Sequence, residues 1–98
     1  MSYKYEFPDY DDELPVIDGF KDESWHNDVC PSLDYPLGGE NILRIWFDYA
    51  NPEMRECGGD QFALGIGEYS QLQGLMGSND LNEILAYIKK HNLTKEQA

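Results

Sequence analysis

The residues whose types and spacing best suit chemistry are the histidines and cysteines. His26, Asp28 and Cys30 alternate along one short segment, so an extended strand would place their side chains on one face. Cys57 and His91 would complete a zinc-like set with tetrahedral nitrogen and sulfur ligands. The paired spacing of zinc sites, such as Cys-x-x-Cys, does not occur. We therefore expect no metal site, and expect a thiol beside polar surface residues here.

Motifs of enzyme chemistry are also missing. Gly65-Ile66-Gly67 has no third glycine and lies within a predicted strand, so it does not match the glycine-rich turn that opens a nucleotide-binding helix. The Gly-x-Ser-x-Gly, phosphate-loop and His-Glu-x-x-His patterns are absent. The carboxylates of residues 9–13 do not follow the spacing of a calcium loop. The sequence predicts a non-enzymatic protein without catalytic residues or a cofactor.

The uneven negative charge is the most informative property of the chain. Nineteen acidic residues stand against seven basic ones in 98 residues, a net charge of −12. Residues 1–40 hold eleven acidic and two basic residues, a net of −9, whereas residues 80–98 hold three of each. A basic nucleic-acid binder needs a cationic patch, so the charge argues against this class, and it disfavours attachment to an anionic membrane for the same reason. The asymmetry indicates an interaction surface in the N-terminal half.

Length and composition predict one folded domain over residues 1–98. Apolar residues make up 41% and aromatic residues 13%, which is too much for a disordered acidic tail. No apolar run approaches the roughly 18 residues that span a bilayer, and the N-terminus lacks a basic and then apolar leader. We therefore expect a cytoplasmic protein whose Cys30 and Cys57 are thiols rather than a disulfide.

The first third of the chain predicts short strands around a long loop. Alternating aromatic residues over 3–7 predict a strand that Pro8 ends, and residues 25–30 predict a second short strand before Pro31. Residues 8–24 show neither period and predict an acidic loop with a turn at Asp18-Gly19. Residues 37–41 predict a further turn.

Two stronger strands follow, over residues 42–49 and 62–69. The twelve-residue connection between them is too short for a helical crossover, so they should pair antiparallel. Gly65 and Gly67 share one face of the second strand, which indicates close approach of another group. We expect the Trp46 ring to cover this flat patch.

The C-terminal part predicts a helix over residues 81–91. Its apolar residues fall at helical spacing and form one stripe: Leu81, Ile84, Leu85 and Ile88. Asp80 and Glu83 have the spacing of a capping box, and Asn92 suits a left-handed stop. Residues 94–98 are expected to fray. These elements predict an α+β fold in which a small antiparallel sheet of three to four strands packs against the C-terminal helix.

Aromatic and acidic residues alternate in the N-terminal half and predict a contact surface for a basic protein. Protein interfaces favour Tyr and Trp as rigid anchors, and surrounding carboxylates steer a basic partner toward them. We take Tyr10 and Trp25 as the anchors. The complete predicted surface comprises Asp9, Tyr10, Asp11, Asp12, Glu13, Asp18, Asp22, Glu23, Trp25 and Asp28.

In size, charge asymmetry and lack of catalytic motifs, the chain resembles the small acidic orphan proteins of phages and mobile elements, including anti-CRISPR and other anti-defence proteins. The resemblance implies an inhibitor that docks on the nucleic-acid-binding surface of a defence nuclease or surveillance complex. Such a DNA mimic offers carboxylates where phosphates would sit, and it would act as a monomer or weak dimer without binding nucleic acid or membrane itself.

Other functions remain open at this point. An immunity protein against a basic nuclease toxin would use the same electrostatics, and an adjoining toxin gene would identify it. An accessory interaction module would dimerise through the face of Ala63, Gly65 and Gly67. A thiol- or metal-dependent enzyme would need His26, Cys30 or Cys57. Acidity could also serve solubility alone.

Reversing Asp11, Asp12 and Glu13 to lysine is expected to abolish binding to the basic partner, because three attractions become repulsions within one segment. The measurement is inhibition of the target by the triple variant. Unchanged inhibition would remove this segment from the contact surface.

Overall fold

A computed structural model of the chain describes residues 7, 10, 14–24, 30–51, 53, 59–69 and 71–94. These residues contain five strands followed by one helix: β1 (Lys21–Asp22), β2 (Ser32–Gly38), β3 (Asn41–Phe47), β4 (Phe62–Glu68), β5 (Gln71–Ser78) and α1 (Leu81–Lys90). All strand pairs are antiparallel, and the strands lie side by side in chain order. The predicted α+β class is confirmed, but the sheet has five strands rather than three to four.

The core lies between the sheet and α1, and β3 forms its centre. Leu43, Ile45 and Phe47 on one face of β3 are buried, as their alternation predicts. Ile84 and Ile88 of α1 belong to the same apolar cluster. Fully burying an aliphatic or Phe side chain contributes about 1.5–3 kcal/mol, so these few residues hold the helix on the sheet.

The sequence pattern missed three strands. The two-residue β1 lies within the predicted loop of residues 8–24 and forms by pairing with β2. The longer β2 and β5 contain residues that weaken strand propensity. Pro36 lies within β2, next to an irregular step in its pairing with β3. Gly74 and Gly77 lie within β5. These residues disfavour strands in isolation, so their neighbours in the sheet determine the conformation. The strands predicted over 3–7 and 25–30 fall almost entirely outside the described residues.

The predicted turns at Asp18-Gly19 and within residues 37–41 are confirmed. The latter joins β2 to β3, where Gly38 has φ 119° and Gly39 has φ 58°. Residues that carry a side chain rarely adopt such positive φ angles, so glycine suits both positions. The hairpin therefore aligns Asp34 of β2 with Arg44 of β3.

Both ends of α1 use the residues that its sequence indicates, with one difference at the start. Asp80 is the N-cap, and its Oδ1 accepts a hydrogen bond from the Asn82 N–H at 3.0 Å. Glu83 does not complete a reciprocal capping box with Asp80. Its carboxylate accepts from the Ser78 hydroxyl, whose oxygen accepts from the Asp80 N–H at 3.0 Å. The helix start is thus fastened to the end of β5.

The helix ends at Lys90, one residue earlier than predicted. The expected left-handed stop follows at Asn92. Asn92 has φ 56°, and the Leu93 N–H donates to the Ile88 carbonyl at 3.0 Å. The Asn92 N–H donates to the Lys89 carbonyl at 3.2 Å. This pair of bonds is the Schellman arrangement, which satisfies the last carbonyls of a helix. The fraying predicted from residue 94 does not hold for Thr94, whose carbonyl accepts from the Tyr35 hydroxyl at 2.8 Å.

On the opposite face of the sheet, Trp46 covers Gly65 as predicted. A Cβ built on Gly65 would lie 2.8 Å from the Trp46 ring and 3.3 Å from the Gln73 carbonyl oxygen. The space above this glycine is therefore filled from within the chain. The face of Ala63, Gly65 and Gly67 is not a bare patch for a dimer partner.

Gly65→Ala is expected to lower the free energy of unfolding by about 1–3 kcal/mol, because the added methyl group displaces the Trp46 ring. Gly74→Ala is the matched control, since Gly74 pairs directly with Gly65 and has no atom within 4 Å of its Cβ position. The control should stay within about 0.5 kcal/mol of the parent. Urea denaturation measures both, and equal losses would contradict the packing argument.

Candidate functional site

Four of the ten residues predicted to contact a basic partner lie within the described structure: Tyr10, Asp18, Asp22 and Glu23. The other six lie outside the described residues and stay predictions: Asp9, Asp11, Asp12, Glu13, Trp25 and Asp28.

Tyr10 packs inside the protein and does not form an exposed anchor. Its side chain is 8% exposed, and its ring meets Tyr49 edge-on with the centroids 5.3 Å apart. Its hydroxyl lies 3.5 Å from the Asp48 carbonyl oxygen. The alternation of Tyr with acids does not predict this burial, because an aromatic residue among acids can either pack into the core or face solvent. We therefore leave Tyr10 out of the contact surface.

Asp18 is exposed in a turn that rests on the sheet. The Phe20 N–H donates to the Ile17 carbonyl at 2.9 Å across the turn. Gly19 has φ 82°, and a Cβ there would lie 2.4 Å from the Tyr35 ring. The turn is therefore pressed against Tyr35, which leaves the Asp18 carboxylate on the outside.

Asp22 and Glu23 lie at the end of β1, where the loop joins the sheet. The Asp22 Oδ1 accepts from the Ser24 N–H at 3.1 Å, so this carboxylate supports the local turn. The Glu23 N–H donates to the Ser32 carbonyl at 3.2 Å. This bond involves only the backbone of Glu23, whose side chain is half-buried. Buried Ser24 fixes the same corner, because its hydroxyl accepts from the Ser32 N–H at 3.1 Å.

A groove of about 280 Å³ opens beside Asp18, between this loop and α1. Its apolar lining comes from Ile17, Phe20, Leu85 and Ile88, and its charged lining from Asp18 and Lys89. The groove gives the acidic turn an adjacent apolar surface, the combination that protein interfaces use.

The sequence did not reveal a buried ion pair on the opposite face of the sheet. Arg44 donates two hydrogen bonds to Asp34, from Nε to Oδ1 at 2.6 Å and from Nη2 to Oδ2 at 2.8 Å. The Asp34 side chain is 3% exposed and that of Arg44 is 13% exposed. The guanidinium also lies 5.9 Å from the ring centroids of both Trp46 and Tyr69. An Arg inside an apolar strand was the available signal, but Asp34 entered the prediction only as one of the eleven acidic residues within residues 1–40.

Further carboxylates stand at the two ends of the sheet. Glu68 is exposed at the end of β4, where Gln71 of β5 is its partner. At the opposite end, the exposed Asp60 accepts a hydrogen bond from the Asn79 amide at 3.2 Å, and Asp80 follows as the cap of α1. The exposed acids of the described structure are therefore spread over several surfaces rather than confined to the N-terminal half.

The metal hypothesis falls mostly outside the described residues, which include neither His26 and Asp28 nor Cys57. Cys30 is buried. His91 packs against Tyr87 at the end of α1, with the ring centroids 4.3 Å apart and the ring planes tilted by 44°. In the part of the chain that the structure describes, no three His, Cys, Asp or Glu residues group as metal ligands.

No protein-family model, curated protein or solved structure matches the chain. Among the described residues, no helix has the length and hydropathy needed to cross a membrane.

Arg44→Met is expected to lower the free energy of unfolding by about 3–5 kcal/mol, because it leaves the buried Asp34 carboxylate without its partner. Lys21→Met is the matched control, since Lys21 is exposed and faces Asp34 from β1. The control should cost at most about 1 kcal/mol.

Adding Asp34→Leu to Arg44→Met should recover most of the loss, because no buried charge then remains. Thermal or urea unfolding measures the three variants. A double variant as unstable as the single one would contradict this account of the pair.

Proposed function

We propose that the chain is a non-enzymatic inhibitory protein that binds a basic, nucleic-acid-binding surface of a host defence complex or nuclease in the cytoplasm. The observation that carries the proposal is the excess of exposed carboxylates that no cation of the described structure neutralises. A surface that binds phosphates is the commonest basic surface, and carboxylates can occupy the same positions.

Exposure and the absence of ion pairing support this function. The exposed acids of the described residues are Asp18, Glu40, Glu53, Asp60, Glu68, Asp80 and Glu83. None of them forms an ion pair with another described residue. Arg44, the basic residue at the centre of the sheet, is committed to the buried Asp34. A basic partner would thus meet carboxylates that are still available.

The loop end of β1 is the described part of the proposed contact surface. Asp18 is exposed on the turn against Tyr35, and Glu23 lies half-buried at the end of the same segment. Because backbone hydrogen bonds and the Gly19 turn hold this segment on the sheet, its charges are presented without a large cost of ordering. The apolar groove beside Asp18 adds contact area that is not electrostatic.

The variant Asp18→Lys with Glu23→Lys is expected to weaken partner binding about tenfold or more, because two attractions become repulsions at the contact. Glu40→Lys with Glu53→Lys is the matched control, with the same change of net charge at exposed residues elsewhere. The control should weaken binding only about twofold, through long-range attraction.

The partner for this measurement comes from capture on the immobilised protein at about 50 mM salt, followed by release at about 500 mM. The released protein is purified and titrated with each variant, and duplex DNA is added as a competitor. A nucleic-acid-binding protein displaced by DNA supports the proposal. Equal affinities for both charge variants, or a partner indifferent to salt and DNA, would overturn it.

The identity of the captured protein separates this function from the immunity alternative. A secreted nuclease toxin encoded beside the chain would identify an immunity protein, whereas a defence nuclease would identify an anti-defence inhibitor. Both would use the same carboxylates.

A further inference from the structure

β5 is an edge strand that lacks the charges and proline that often protect such edges, although its pairing with β4 has one irregular step, between Leu64 and Gly65. It is the last strand in the sheet order and pairs with β4 on one side only within the described residues. Its eight residues, Gln71–Ser78, include no charged residue and no proline. Natural proteins commonly place charges or proline on exposed edges, because unpaired backbone groups there recruit other strands. The opposite edge, β1, has only two residues.

The surface of β5 also has room for the side chains of an added strand. Gln71, Gln73 and Gly74 are exposed, and no atom lies within 4 Å of a Cβ built on Gly74. A large side chain on a neighbouring strand can cover such an edge glycine.

Acidic residues stand at both ends of this neutral edge. Glu68 pairs with Gln71 at one end. At the other end, a Cβ on Gly77 would lie 2.9 Å from the Asp60 Oδ2, so that carboxylate sits against the strand. A second copy of the chain paired at this edge would bring its acids toward these acids in either orientation, with Glu68 one strand back from the edge on β4. An extended segment with cations at its ends fits instead.

We propose that β5 is the docking edge for an extended segment of the basic partner, which adds to the sheet as a sixth strand. The inference rests on the proposed function and names the contact that the partner makes. Main-chain hydrogen bonds to β5 supply affinity, as in other strand-addition complexes. Lys or Arg residues near the ends of the segment meet Glu68 and Asp60 and set its register.

A synthetic peptide of sequence Lys-Thr-Val-Tyr-Val-Thr-Val-Lys serves as the probe, with a second peptide that carries Glu at both ends. Amide hydrogen exchange of the full chain should show added protection over residues 71–78 with the Lys-ended peptide. Fluorescence anisotropy should show the Glu-ended peptide binding about tenfold more weakly, because two exposed attractions become repulsions.

The variant Gln71→Lys with Gln73→Lys should weaken binding of the Lys-ended peptide by about tenfold, because it adds cations along the docking edge. Asn82→Lys with Ala86→Lys is the matched control, which adds the same charge at exposed positions of α1. Circular dichroism checks that all variants remain folded.

Three results would overturn the inference: no protection of residues 71–78 by the Lys-ended peptide at about 1 mM, protection confined to other residues, or equal binding of the two peptides. Light scattering that shows a dimer with these amides already protected would assign the edge to a second copy. If the peptide fails to bind β5 while a salt-sensitive partner is still captured and its affinity still depends on Asp18 and Glu23, the proposed function stands without the contact at β5.

Discussion

The ion pair between Asp34 and Arg44 is the interaction on which the sheet depends. The pair lies on the face opposite α1, where the described structure has no second helix to cover β3. A buried charge that loses its partner is strongly destabilising, so β2 and β3 are held in the one register that aligns these residues. The pair therefore contributes more to the uniqueness of the strand alignment than to the net stability of the protein.

The same pair organises the residues around it. Arg44 lies near the rings of Trp46 and Tyr69, and Trp46 fills the space above Gly65 on β4. Cross-strand contacts of this kind let one face of the sheet close with its own side chains. The apolar face is then free to bind α1, which fastens to β5 through Ser78 and Glu83.

The elements that could be predicted from the sequence are those whose own residues determine their structure. β3, β4 and α1 have clear periodicity. The contact of Trp46 with Gly65 followed from the sequence because the two residues are diagonal neighbours on one face of paired strands. β2 and β5 were not predicted because Pro36 and Gly74 weaken the alternating pattern of a strand. Only pairing with neighbouring strands makes these segments extended.

The candidate site was less predictable for a related reason. Residue type alone does not distinguish an acid that faces solvent from an acid that faces an arginine on the next strand, so Asp34 adds to the negative charge of residues 1–40 without any sign that it is buried. The pattern predicts an exposed anchor at Tyr10, because it does not show that the Tyr10 ring contacts Tyr49, which is far away in sequence. Asp18 was placed in the correct turn, because the signal of Asp-Gly is local.

Net charge and the neutral edge strand of this chain have a joint consequence. A long uncharged edge invites self-association in most proteins, yet the carboxylates of Glu68 and Asp60 stand at its two ends. Like charges disfavour a second acidic copy at that edge while they attract a basic segment. Specificity of this kind comes from repulsion of the wrong partner as much as from attraction of the right one. The acidity would then select which strand can pair with β5, in addition to steering the partner from a distance.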